Sequence, residues 1–242
     1  MLGDLTTSLP VVLGRNLLGI YLYGSLTQRA FDSARSDVDC IVVTRRDLSD
    51  AQFARLDGWL TRAATSNPWM SRLQMTILVR DQVLVMNAPG SLYQFGRLAR
   101  TGSDGNPIIW LNVLKSGHTL YGPEPSSFVP PITTAILHEA LVREVGYLRD
   151  EIDNAASEWR DVPSYRVYAV LTLCRVLYSQ ATGRITSKPR AARWALSRLP
   201  KVWHPLIRHA LELHSGTGSG RVRLARIRRF IEFVGTELHR GT

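Results

Sequence analysis

Asp37 and Asp39 stand on either side of Val38 at the head of a run, Val38 to Thr44, that is β-branched or apolar on both faces. Such a run is buried from both sides, the pattern of a central strand. Carboxylates two residues apart on a strand leave by the same face, with Cα atoms about 6.5 Å apart. Two ionised groups at the mouth of an apolar strand are costly unless they are solvated, paired or bound to a cation. Mg²⁺ takes a few carboxylate oxygens and completes its octahedral shell with phosphate oxygens, so this pair has the makings of its protein ligands. Taken alone, Asp37 and Asp39 also read as a cap followed by a solvated strand edge.

A second apolar run, Leu17 to Tyr23, ends a dozen residues upstream at Gly24-Ser25, a strand running into a turn. Glycine lets a ligand approach the backbone, and the following amides and the Ser25 hydroxyl suit phosphate oxygens. Phe53, Leu56, Leu60 and Ala63 recur near helical spacing across Ser49 to Ala64, with Ser49 or Asp50 as the cap. Leu73 to Val79 reads as a further strand. Gly122 to Pro131 holds four prolines in ten residues and fits neither a regular helix nor a central strand; it reads as a linker. Beyond it, Thr133–Ala156, Ser164–Thr182, Pro189–Leu199, Trp203–His214 and Val222–His239 read as helices of a small bundle, with Gly183 as a stop and 215–220 as a flexible loop. The expected architecture is α+β, a mixed sheet with flanking helices over residues 1–130 followed by an α-helical bundle over 131–242.

Composition narrows the classes. Over 242 residues the chain is 45% hydrophobic and 21% charged, the profile of a globular protein. No apolar run approaches the roughly 20 residues of a membrane helix, and Met1 to Pro10 carries Asp4 with no basic segment, so a cytoplasmic, signal-free chain is expected. Cys40 and Cys174 both sit in apolar runs and read as buried free thiols. The net charge is +10; residues 1–130 contribute +2 and residues 131–242 contribute +8. That asymmetry attracts polyphosphate or nucleic acid at long range. No nucleic-acid module accompanies it, so nucleic acid is not an expected partner.

In order and context, GS, an eleven-residue loop and DxD opening a strand resemble the nucleotidyltransferase superfamily that includes polymerase beta. The likeness extends along the chain through YGSLTQRAFDSARSDVDCIVV (23–43), RLQMTILV (72–79), HTLYGP (118–123) and VLTLCRVLYSQATGRITSKPRAARWAL (170–196). These segments resemble the adenylyltransferases that inactivate streptomycin and spectinomycin. The resemblance implies a monomer that takes ATP with Mg²⁺ and a small hydroxylated acceptor, an antibiotic. It assigns Mg²⁺ to Asp37 and Asp39, and the nucleotide to Gly24, Ser25, Ser36, Arg175 and Lys188. Two fixed cations would offset the triphosphate charge, with both substrates meeting between the domains.

Two departures stand out. The family places a glutamate on the strand beside DxD as base for the attacking hydroxyl, and the matching Leu73-Gln74-Met75-Thr76 holds Gln74. An amide hydrogen-bonds a hydroxyl but does not take its proton at neutral pH. Three accounts are open: a substitution that traps a substrate complex, another acid such as Asp81 or one on the first bundle helix, or a relative that binds nucleotide without turnover. The family's acidic residues ahead of VLTL are replaced by Ser164, Tyr165 and Arg166, which weighs against a polycationic acceptor. Trp159 and Asp161 are the expected acceptor contacts.

Overall fold

The computed structural model describes residues 1–240, with Asn87 and residues 102–104 described by backbone alone. The chain divides into two compact units, Met1–Pro131 and Ile132–Thr242.

The first unit is built on a mixed six-stranded sheet of order β5-β4-β3-β2-β1-β6. The strands are β1 (Leu17–Tyr23), β2 (Val38–Thr44), β3 (Leu73–Val79), β4 (Met86–Gln94), β5 (Arg97–Asp104) and β6 (His118–Tyr121). β2 and β3 run parallel, and every other pairing is antiparallel. Helices α1 (Leu2–Leu13) and α2 (Asp50–Ser66) cover one face. Strand alternation sends Ile20 and Leu22, Val38, Cys40 and Val42, and Leu73, Met75 and Ile77 to that side, where they pack with Leu5, Leu9, Leu56 and Leu60. α2 begins with a capping box, in which the Ser49 hydroxyl accepts from Gln52 N and the Gln52 side chain accepts from Ser49 N.

Helix α3 (Pro107–Ser116) brings fully buried Trp110 against Tyr21 on the opposite face, ring centroids 6.3 Å apart. The proline-rich segment supplies the third ring: Phe128 lies 5.8 Å from Tyr21, and the Tyr21 hydroxyl donates to Pro123 O at 2.8 Å. Pro125 and Val129 are buried. The segment expected as a linker is therefore a packed strap of the first unit, because its apolar side chains have a surface to bury. Burial and the nearby Glu124 push the Tyr21 phenol up to about 12.

The second unit contains α4 (Thr134–Asp153), α5 (Pro163–Thr182), α6 (Lys188–Arg198), α7 (His204–Ser215) and α8 (Leu224–Arg240). α5 contacts all four others and is buried along most of its length. Gly183 ends α5 and Gly216 ends α7, both in the left-handed conformation that glycine adopts without strain. Arg166 is 4% exposed at the start of α5. Its guanidinium donates to Arg160 O at 2.9 Å, Val222 O at 3.3 Å and Asp161 Oδ1 at 2.5 Å. Three acceptors satisfy the buried charge and tie the α4–α5 and α7–α8 connections to one residue. Among the described residues no helix is long and apolar enough to cross a membrane.

Candidate active site

Three strand ends meet at one edge of the sheet. Because β1 is antiparallel to β2 while β3 is parallel to it, the end of β1 and the starts of β2 and β3 lie together. Tyr23 is the partner of Asp39 across β1 and β2, and Asp39 is the partner of Gln74 across β2 and β3. Paired strands run about 4.8 Å apart, so Asp39 sits one strand spacing from each neighbour. Asp39 and Gln74 point to the face opposite α1 and α2, since Val38, Cys40, Leu73 and Met75 fill the helix-covered side, and Asp37 immediately precedes β2. Asp37 is exposed; Asp39 and Gln74 are half-buried.

Gly24 follows β1 with φ +81°, and a Cβ added there would overlap the Asp39 carboxylate. Glycine thus serves twice, giving the left-handed turn and the space in which the carboxylate lies. Gly24 O accepts from Gln28 N and from the Thr27 hydroxyl, both at 3.1 Å, and Ser25 O accepts from Ala30 N at 3.0 Å. Ser25 is half-buried in this turn. Ser36 closes the far end of the loop: its hydroxyl accepts from Asp32 N at 3.0 Å, and its amide donates to Asp32 O at 2.8 Å.

Asp81 is excluded as a substitute base. It lies in a 3₁₀ turn beyond the far end of β3, seven residues from Gln74 and about 20 Å along the strand direction. Cys40 faces the helix-covered core, where burial and the neighbouring Asp39 charge push its thiol up to about 12; Cys174 is raised likewise by burial, and both thiols are free. Neither is a nucleophile at neutral pH.

In the second unit, Tyr165, Tyr168, Thr172 and Arg175 recur at three- and four-residue intervals and share one face of α5. The Lys188 Nζ sits 4.8 Å over the Tyr168 ring, and Arg175 lies near enough to oppose the rise that burial and Glu144 impose on the Tyr168 phenol. The ladder continues outward, Tyr168 stacked on Tyr165 at 5.4 Å and Tyr165 against Trp159 at 6.0 Å. Arg175, Lys188 and Trp159 thus belong to one aromatic assembly, joined by two tyrosines that sequence reasoning did not assign. The spacing of Tyr165, Tyr168 and Arg175 was the available signal. Trp159 is 40% exposed. Asp161 is exposed, but its carboxylate is ion-paired with Arg166.

Two carboxylates and a clear glycine turn suit Mg²⁺ held jointly with phosphate oxygens. Among the described residues no group of three or more His, Cys, Asp or Glu side chains forms a cage that would bind an ion without a substrate.

Residues 127–237 match the C-terminal domain family of aminoglycoside adenylyltransferases. The aminoglycoside (3'') (9) adenylyltransferase of Escherichia coli is 26% identical over 262 residues, spanning 98% of this chain and 96% of its own. The spectinomycin 9-adenylyltransferase of Campylobacter jejuni is 26% identical over 220 residues, spanning 85% and 81%. The fold is shared with the crystal structure of spectinomycin adenyltransferase AAD(9) from Enterococcus faecialis with ATP and spectinomycin, with a TM-score of 0.70 at 18% identity over 98% of this chain and 97% of that one.

Proposed function

The chain belongs to the aminoglycoside adenylyltransferase family, and on that premise we propose that it moves AMP from ATP to a hydroxyl of an aminoglycoside-type antibiotic. The acceptor oxygen forms a bond to the α-phosphorus while the bond to the bridging oxygen breaks, releasing pyrophosphate and the hydroxyl proton. Asp37 and Asp39 would hold Mg²⁺, which neutralises developing charge on the phosphates. The turn at Gly24 and Ser25 would cradle the triphosphate, with Ser36 bordering it; Arg175 and Lys188 would add two fixed positive charges. Gln74 would orient the acceptor hydroxyl by hydrogen bonding, and the proton leaves to solvent because the amide does not hold it.

The observation that carries this reading is the convergence of Gly24, Asp39 and Gln74 at one sheet edge. The Trp159–Tyr165–Tyr168 ladder favours an acceptor that stacks the C–H face of a ring, and the pairing of Asp161 with Arg166 disfavours a polycation. Incubation with Mg-ATP and a panel running from spectinomycin to streptomycin, read as adduct mass, tests the assignment. An AMP adduct that disappears in Asp39→Asn supports it; Mg-ATP binding untouched by Asp39→Asn overturns the site.

Gln74 supports a second reading, a protein that binds nucleotide without turnover. Nucleotide binding without an adduct in either the native chain or Gln74→Glu, across a broad acceptor panel, would favour it.

A further inference from the structure

We propose that Arg72 is a positioning residue that holds the loop between Ser25 and Asp37 in its ligand-binding form. The inference rests on the reading of Gly24, Ser25, Asp37 and Asp39 as the nucleotide and metal site.

The loop leaves the sheet at Gly24 and returns at Asp37, so both ends carry residues assigned to the nucleotide. Its ends are knotted locally, by the Gly24 and Ser25 carbonyls at one side and by Asp32 with Ser36 at the other. Residues 32–35 between them are exposed, and a side chain from outside the loop reaches their backbone. Arg72 donates from Nη1 to Ser33 O and from Nη2 to Ala34 O, the latter at 2.7 Å. One guanidinium thus spans two successive carbonyls, a fork geometry that a lysine does not reproduce.

Arg72 is itself fixed. It closes the 3₁₀ turn Pro68–Arg72, immediately before Leu73 opens β3. Its guanidinium lies over the Trp69 ring at 5.6 Å, and the same ring packs against Phe31 of the loop, at 6.0 Å. Backbone carbonyls and an aromatic side chain of the loop are therefore held by the same short turn. That turn also sets the start of the strand carrying Gln74 beside Asp39. Arg72 ties the loop to the strand register, so freeing it lowers the fraction of molecules in which Ser25, Asp37 and Asp39 present one site, and apparent affinity falls by that fraction.

The test uses the full chain, with Mg-ATP as the probe. Calorimetric titration should show Arg72→Ala weakening Mg-ATP by about tenfold, with Arg72→Lys intermediate. Arg29 and Arg35 lie on the exposed loop, so trypsin should cut there faster in Arg72→Ala, and Mg-ATP should protect the native chain. Arg228→Ala removes a surface ion pair with Asp153 in the other unit and should leave the affinity unchanged. If Arg72→Ala does not fold, Arg72→Lys carries the comparison on the same criteria. Native affinity for Mg-ATP in Arg72→Ala, with loop cleavage accelerated or not, overturns the positioning role while leaving the nucleotide site standing. Failure of the native chain to bind Mg-ATP overturns the site reading, and the positioning role with it.

Discussion

Gln74 is the parallel-register partner of Asp39, on the same face of the sheet and one strand away. This places an uncharged amide beside a carboxylate where a second carboxylate would raise the local negative charge. A glutamate at 74 would feel Asp39 and take a proton more readily than an isolated one.

Replacing Gln74 by glutamate should therefore raise adenylylation by about 10²–10⁴-fold, the usual contribution of a positioned base. The gain should fall away as pH drops through the carboxylate's own titration. Adduct formation measured from pH 5 to 8 for both forms checks the magnitude and the pH limb together.

Gly24→Ala should abolish Mg-ATP binding while leaving the unit folded. The added methyl group meets the Asp39 carboxylate and forces a side chain into the left-handed region at φ +81°. Titration calorimetry paired with circular dichroism separates the local loss from global unfolding.

In the second unit, Tyr168→Phe should keep the affinity for Mg-ATP and Tyr168→Leu should lose part of it. The ring face, not the hydroxyl, is what lies beneath the Lys188 ammonium. A cation–π contact of about 0.5–2 kcal/mol corresponds to a change of a few-fold to about thirtyfold. Equal losses in both variants would place the hydroxyl, not the ring, in the role.

Arg166→Met should destabilise the chain by about 2–4 kcal/mol, measured by urea unfolding. The carbonyl acceptors Arg160 O, part-buried, and Val222 O, buried, would lose their donor. Asp161→Asn should cost well under 1 kcal/mol, because that carboxylate is three-quarters exposed.

Stability should decline as pH rises from about 9 to 12. The folded-state values of Cys40 and Cys174 are raised from 9.0 to about 12, so above pH 9 the unfolded chain releases protons that the folded one retains. Their contribution is complete below pH 9 and lost as pH climbs through that window. Denaturant midpoints across the range test the sign, and thiol labelling at pH 8 should require unfolding.

Several elements were legible because one local pattern decided them. The double-sided apolar run Val38–Thr44, the run ending at Gly24, and Leu73–Val79 are the observed β2, β1 and β3. Four of the five bundle helices lie within about two residues of their expected bounds, and α4 ends three residues earlier, at Asp153. α1 was not legible, since Thr6, Thr7, Ser8 and Pro10 are poor helix formers, and it is buried Leu5, Leu9 and Leu13, with Leu2 and Val12 beside them, that hold it to the core. The β4–β5 hairpin carries Pro89, Gly90 and Gly102, residues that local propensity assigns to turns, and forms through pairing along most of its length.

The sequence by itself determined the residue types of the site, their order, and the glycine without which the first turn does not form. Tertiary structure alone decided which of them are neighbours. The antiparallel return from β1 to β2 and the parallel step to β3 bring Gly24, Asp39 and Gln74 to one edge and carry Asp81 away from it, and no local pattern encodes strand order. The same holds for the pairing of Arg72 with Ser33 and Ala34, almost forty residues apart, and for the ion pair of Asp161 with Arg166. Side-chain chemistry can be read residue by residue, whereas proximity depends on how the whole chain buries its apolar surface.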